Sequence, residues 1–297
     1  MFKADFMQLS GVNREAVVRA YRDADALVMR QDIHNQYSFP QVNFVEWVLS
    51  RIQWRGDEYV LDVGAGQGAY FEPVQMRIPR GELVAGDLSL GMARSAAEHP
   101  ASRCVLNLDA EHLPFPKHTF DVVLANHVLF HVPDLDRALS EIHRVLKPSG
   151  VLLASTNSQA NMPELDMLFK RVFGLLGVRP KTASLAEPQP HFHLEDAPMR
   201  AARHFFAVAR HDLPSTFIFP SAQPLIDYVN STRALREPTL PRSITWQDFM
   251  NVFADQAQRI VNHFGEIVIS KLAGAIVASD MGDFSREYVQ KLLATPS

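Results

Sequence analysis

Along the middle of the chain, apolar residues fall into short runs that stop at a small or polar residue. Tyr59–Val63 ends at Gly64, Glu82–Ala85 at Gly86-Asp87, Arg103–Leu108 at Asp109 and Phe120–Ala125 at Asn126, and Val151–Ser155 is a fifth run. Short apolar runs bounded by turn residues read as buried strands. Between them the period changes. Leu90–Glu98 and Leu135–Leu146 place apolar residues three and four apart. In the second, Leu135, Ala138, Leu139, Ile142, Val145 and Leu146 share one face, and Arg144, Lys147, Pro148 and Gly150 mark its end. Strands alternating with helices predict an α/β protein with a doubly wound parallel sheet and right-handed crossovers.

The flanks are less regular. Val12–Met29 and Val42–Ile52 have helical spacing and are separated by Ser38-Phe39-Pro40. They predict an N-terminal helical cap over residues 1–57, with Phe39, Phe44, Trp47 and Trp54 in the core. Residues 58–160 carry the strand–helix alternation. Residues 161–202 hold five prolines and read as an insertion, with a helix at Leu165–Leu176 and a loop at Thr182–Pro198. Residues 203–297 end the sheet. Arg203–Ala209 and Thr216–Phe219 are strand candidates, Leu225–Leu235 and Trp246–Phe264 read as helices, and Ile267–Val277 is a closing strand.

Composition narrows the function classes. Of 297 residues, 47% are hydrophobic and 21% charged, which fits a globular chain. The net charge of −4 offers nothing to neutralise a phosphate backbone, so nucleic acid is not an expected partner. Cys104 is the single cysteine, which excludes an intrachain disulfide and a thiolate zinc cluster. Met1–Gly11 lacks the apolar core of a signal peptide, and Ile267–Ser279 is short and interrupted by Lys271, so no membrane span is expected. These features predict a soluble, cytoplasmic protein. No G-x-S-x-G element suggests a hydrolase.

The chemistry concentrates where the strands end. Asp62-Val63-Gly64-Ala65-Gly66-Gln67-Gly68 follows the first strand, and its small residues let a ligand lie against backbone amides. Read alone, residues 64, 66 and 69 also fit a dinucleotide fingerprint, G-x-G-x-x-A. Asp87, 19 residues after Gly68, stands where a ribose-binding acid belongs, a reading favoured over its merely capping the next helix. Asp62 separates the two readings. A carboxylate there repels a pyrophosphate and suits an ammonium group. Asp109-Ala110-Glu111, after the third strand, offers an acid to an adenine amino group. A ligand with an adenosine, a ribose diol and an ammonium but no phosphate is S-adenosylmethionine. His127 and His131 follow the fourth strand at the expected mouth, and His131 is the candidate general base for an acceptor that must lose a proton. His191-Phe192-His193 lacks a cysteine or a helical i+4 partner, so no metal is expected. Met162, Met167, Phe169 and Phe173 read first as core and second as the wall of an apolar substrate pocket.

From Tyr59 to Thr156, about a third of the chain, the sequence resembles class I S-adenosylmethionine-dependent methyltransferases of the small-molecule type. It is similar to the ubiquinone/menaquinone methyltransferase group. The resemblance rests on VLDVGAGQG (60–68), GDLSLGM (86–92), NLDAEHLPFP (107–116), FDVVLANHVLFHVPD (120–134) and ALSEIHRVLKPSG (138–150), in order and in register. It implies a Rossmann-like, seven-stranded sheet with an antiparallel closing strand, a helical cap and lid insertions. It also implies methyl transfer to a nucleophilic O, N or C of a small-molecule acceptor, mainly by positioning, with S-adenosylhomocysteine as product. By position, Gly64, Ala65, Gly66 and Gly68 would line the methionine portion, with Asp62 near its ammonium. Asp87 would hold the ribose hydroxyls, Leu88 and Met92 would pack on adenine, and Asp109 and Ala110 would read its edge. Asn126 and His127 would form the wall after the fourth strand, and Arg30 and Tyr37 belong to a segment that would close over the cofactor. Ala65 replaces a frequent cysteine and Ser149 a frequent glycine. The alternatives are an NAD(P)-dependent oxidoreductase on a similar sheet and a non-catalytic S-adenosylmethionine-binding module. The resemblance does not extend to residues 12–55, 161–200 and 220–262, to which the acceptor pocket falls.

Overall fold

The computed structural model describes Val18, Tyr21, residues 25–178 and residues 192–281. The elements in chain order are α1 (Asp25–Tyr37), β1 (Ser38–Phe39), α2 (Phe44–Leu49), β2 (Tyr59–Val63), α3 (Phe71–Arg77), β3 (Glu82–Asp87), α4 (Leu90–Glu98), β4 (Cys104–Asn107), β5 (Phe120–Asn126), α5 (Leu135–Val145), β6 (Leu146–Asn157), α6 (Pro163–Leu175), α7 (Ala197–Ala201), β7 (Ala207–Phe219), α8 (Gln223–Ser231), α9 (Arg233–Arg236), α10 (Trp246–Phe264) and β8 (Ile267–Ser279).

All eight strands form one sheet in the order β1-β7-β8-β6-β5-β2-β3-β4. Strands β2 to β6 pair in parallel, and β8 runs antiparallel to both β6 and β7. The expected seven strands and reversed closing strand are present. The eighth is the two-residue β1, which adds to the outer edge of β7 through Ser38↔Phe217 and Phe39↔Thr216. The strand order reverses between β2 and β5, so the crevice at their carboxyl ends is the place where an open α/β sheet binds a ligand.

Three apolar clusters hold these layers. On one face, Leu135, Ala138, Leu139, Ile142 and Val145 of α5 pack with Val123, Ala125 and Ile276 of the sheet. The opposite face joins Val48, Leu49, Phe71 and Val74 to Val60, Leu124, Leu153 and Val277. Beyond the carboxyl edge, α6, α8 and α10 close on the overhanging ends of β7 and β8 through Phe169, Phe173, Phe217, Phe219, Phe249, Phe253 and Ile269. Helix boundaries follow local chemistry. Ser89 caps α4 and Asp134 caps α5. Thr245 and Asp248 make a capping box on α10, which ends at the left-handed Gly265.

Several expectations need correction. The two strand candidates at Arg203–Ala209 and Thr216–Phe219 are one strand, β7. Pro214 interrupts the apolar pattern, but it lies where β7 has only β8 beside it, and an edge tolerates the missing N–H. Helix α3 is an element the apolar pattern did not mark; its Pro73 sits in the first turn, where no N–H is needed. Phe39, expected in the core, is 65% exposed, and Met167 is 68% exposed, whereas Phe169 and Phe173 are core. The Val12–Met29 helix lies outside the described residues except for Val18, Tyr21 and the part that α1 covers, and so does the expected loop as far as residue 191. Among the described residues, no helix is long and apolar enough to cross a membrane.

Candidate functional site

The glycine loop is shaped by backbone contacts that exclude side chains. Gly64, Gly66 and Gly68 all have positive φ. A Cβ on Gly64 would stand 2.4 Å from Cγ2 of Val128, so the β2 and β5 ends approach as closely as a glycine permits. The N–H groups of Gly64 and Ala65 both donate to the Gly86 carbonyl, at 2.8 and 3.0 Å, which ties the loop to β3.

Two acids flank this loop. Asp62, at the end of β2, is only 1% exposed, and its Oδ2 has no hydrogen-bond partner. Burial, reinforced by the nearby Asp87, pushes its pKa up to about 7. Asp87 ends β3. The Gly66 N–H donates to its Oδ2 at 3.0 Å, and the Ser89 N–H donates to its Oδ1 at 2.8 Å. Its pKa is also raised by burial, against the pull of those amides. Leu88 is half-buried, and Met92 is buried one turn into α4. Asn107 donates to the carbonyls of Asp87 and Leu88, which fixes the chain where it leaves β3.

Asp109 follows β4. Its Oδ1 accepts the Glu111 N–H at 3.1 Å, and the buried Ala110 joins the α5-side core. Asp109, Glu111 and His112 bring ligand-type atoms within 4.8 Å of one another. These groups serve the local turn, since the Asp134 N–H donates to Glu111 Oε1 and His112 bridges back to Asp109.

At the opposite wall, Asn126 ends β5 buried, with neither amide atom hydrogen-bonded. His127 takes a left-handed backbone (φ 51°) and donates its N–H to the Ser155 carbonyl. Burial and the neighbouring His131 hold its pKa down at about 4. His131 Nε2 lies 3.0 Å from the Tyr21 hydroxyl, and the Tyr21 carbonyl accepts from Ser89 Oγ at 2.7 Å. Tyr21 therefore bridges the two sides of the crevice. Leu27 of α1 lies over Gly66, and Arg30 stacks its guanidinium over the Tyr21 ring at 5.6 Å. Tyr37 is placed differently from Arg30. It packs on Phe219 at the far edge of the sheet, in the cluster beyond the carboxyl ends. His191 lies outside the described residues.

The sequence reading missed one cluster. Lys271 of β8 is 8% exposed, and its Nζ donates to Ser38 Oγ at 2.6 Å and stands 3.1 Å from His34 Nδ1. Its only signal in the sequence is a charge inside an otherwise apolar strand.

Residues 61–154 match the family described as a methyltransferase domain. That match covers about a third of the chain, the stretch that holds the glycine loop and the strand-end acids. The chain is 31% identical over 164 residues to a malonyl-[acyl-carrier protein] O-methyltransferase of Pseudescherichia vulneris, covering 55% of this chain and 62% of that protein. It is 41% identical over 116 residues to a demethylmenaquinone methyltransferase of Thermobifida fusca, covering 37% and 48%. The chain thus spans less than two thirds of the length of these relatives. Among solved structures, Haemonchus contortus phosphoethanolamine N-methyltransferase 2 in complex with S-adenosyl-L-methionine superposes with a TM-score of 0.53 at 17% identity, over 90% of this chain and 60% of that one. At that identity the likeness is one of fold.

Proposed function

We propose that this chain transfers a methyl group from S-adenosylmethionine to a nucleophilic O, N or C of a small-molecule acceptor. The observation that carries this reading is the pair Asp62 and Asp87 at the glycine loop. Among the described residues neither carboxylate pairs with a cation, and Asp62 Oδ2 is buried without a partner. A ligand that brings an ammonium to Asp62 and a diol to Asp87 answers both. A pyrophosphate would meet a buried acid, which disfavours a nicotinamide dinucleotide.

The bound cofactor supplies a sulfonium-activated methyl group and leaves as S-adenosylhomocysteine. The chain's own task is to hold and orient. Gly64, Ala65, Gly66 and Gly68 give the methionine portion room against the backbone, and Asp62 receives its ammonium. Asp87 accepts from the ribose hydroxyls, Leu88 and Met92 border the adenine, and Asp109 and Ala110 face its edge. Asn126 and His127 form the wall beside the reacting centre, and Arg30 with Tyr21 covers it. Aligning an acceptor and excluding water contributes several kcal/mol without any covalent role for the protein. Where the acceptor must shed a proton, His131 takes it at Nε2, the atom now facing Tyr21. The net charge of −4 favours a small acceptor over a nucleic acid.

Calorimetric titration with S-adenosylmethionine and S-adenosylhomocysteine tests the reading. We expect micromolar binding that weakens about a hundredfold in Asp87→Ala, the scale of losing charge-assisted hydrogen bonds to two hydroxyls. Absence of binding to the folded wild type sinks the proposal.

A further inference from the structure

Among the described residues Lys271 is the most deeply buried lysine or arginine, and its place in the fold is specific. Pairing of β6 with β8 runs from Val151↔Ser279 to Asn157↔Ala273. Lys271 lies just beyond that last pair, on the part of β8 that overhangs the carboxyl edge of the sheet. Ligands of open α/β folds bind on that edge. Four elements surround the ammonium. His34 comes from α1, Ser38 from β1, Phe217 from β7 with its ring centroid 3.8 Å from Nζ, and Tyr228 of α8 packs edge-on against His34.

Among the described residues the cluster contains no acid. Among the described residues Lys271 pairs with no carboxylate, and its two hydrogen-bond partners are a hydroxyl and an imidazole nitrogen. Asp32 of α1 is exposed, and Asp227 of α8 accepts from Gln223. The charged groups that oppose protonation of His34 are Lys271, His127 and Arg30, all basic. Burial and these neighbours hold His34 neutral, with a pKa down at about 3, and burial lowers Lys271 to about 8. A neutral His34 that accepts from Lys271 at Nδ1 carries its proton on Nε2, which makes it a donor backed by a positive charge. The proximity of His127, at the end of β5, ties the cluster to the crevice already described.

A buried cation compensated only by neutral groups and an aromatic face is costly unless an anion arrives. We propose that Lys271 and His34 form the acceptor subsite, and that the acceptor carries an anionic oxygen group, a carboxylate or an ionised phenol or enol, which they bind. Phe217 and Tyr228 give that subsite an aromatic wall suited to an apolar body behind the charge. This inference rests on the methyltransferase reading and specifies its substrate class.

The test compares acids with their neutral amides on the full chain loaded with S-adenosylhomocysteine. The probes are benzoate against benzamide and octanoate against octanamide, each titrated calorimetrically or by ligand-observed NMR. In the wild type at least one acid binds about tenfold or more tighter than its amide, the scale of a charged hydrogen bond. Lys271→Met removes that preference while S-adenosylhomocysteine affinity stays within about twofold. Replacing a buried charge by an apolar residue of similar length is usually tolerated, and Lys271→Gln carries the same test if the methionine variant does not fold. Acids that bind no better than amides, or not at all, overturn the inference, and so does a preference that survives both substitutions. If the wild type fails to bind S-adenosylhomocysteine, the cofactor reading falls and this inference with it. Intact cofactor binding without an acid preference removes this inference alone.

Discussion

On the glycine-loop side of the crevice, the buried and half-buried ionisable groups are acids. Asp62 sits near the end of β2 with its Oδ2 unpartnered, and Asp87 ends β3 with its carboxylate accepting from the Gly66 and Ser89 amides. On the other side, under α1 and α8, the buried ionisable group is a base, and Lys271 has only neutral partners. Among the described residues, neither half has its charge balanced by an opposite one. In each case the imbalance points to the charge of what should bind there, cationic at the loop and anionic at β8. The two halves differ in how the geometry is built. The loop is a backbone construction that depends on missing side chains. The β8 subsite is a side-chain construction assembled from distant parts of the chain.

The largest expected effect breaks the backbone half. Gly64→Ala adds a Cβ that would stand 2.4 Å from Val128 Cγ2, at a backbone φ of 73° that side chains rarely adopt. Strain and overpacking together should cost roughly 3–5 kcal/mol. Thermal unfolding of Gly64→Ala should fall well below the wild type, and S-adenosylhomocysteine binding should be lost. A variant with unchanged stability and binding would show that the loop is not the rigid cradle described here.

The next effect sharpens the contrast in charge through pH. The Asp62 pKa is raised from 3.8 to about 7, so in the empty protein the folded state binds the extra proton between those values. Its contribution to stability therefore falls as pH rises from about 4 to 7 and stays unfavourable above. Asp62→Asn should stabilise the ligand-free chain at pH 8 by up to about 4 kcal/mol, at 1.36 kcal/mol per pKa unit, and the gain should fade toward pH 4. Lys271 behaves in the opposite sense. Its pKa is lowered from 10.5 to about 8, so its cost is full below pH 8 and relieved as pH rises toward 10.5. Lys271→Met should stabilise at pH 7 and lose that gain above pH 8. Denaturant melts of both variants across pH 4–10 read these profiles. Binding adds a second signature. An ammonium beside Asp62 favours its ionised form, so S-adenosylhomocysteine should bind about fivefold tighter at pH 7 than at pH 6, with proton release, and Asp62→Asn should flatten that dependence. Flat profiles in the wild type would show that Asp62 is ionised and balanced already.

The same contrast explains what could be read without coordinates. The loop and the strand-end acids are local. Asp62, Gly64, Gly66 and Gly68 lie within one turn, Asp87 ends the next strand, and the β2–β6 alternation announces where each strand stops. Backbone requirements of that kind leave a residue pattern. The subsite at Lys271 leaves none, because its partners His34 and Ser38 are 237 and 233 positions away and meet it only when β1 joins the edge of β7. A lysine in an apolar strand signals no more than an exception. The misreadings have similar causes. Pro214 looks like a breaker until an edge strand removes the need for its N–H group. Phe39 looks like core until β1 turns it outward.

The smallest effect concerns the link between the halves. Tyr21 is held by Ser89 on the acid side and meets His131 through its hydroxyl at 3.0 Å, with an edge-on ring contact at 5.2 Å. Tyr21→Phe keeps the ring and the backbone bond to Ser89 and removes only the hydroxyl. A part-buried neutral hydrogen bond is worth about 1 kcal/mol, so the melting temperature should drop by only a few degrees. S-adenosylhomocysteine affinity should hold within about twofold, since Asp62 and Asp87 are untouched. If affinity instead collapses, the Tyr21 bridge is part of the cofactor site itself. The two halves would then act as one closed shell rather than as two independently charged walls.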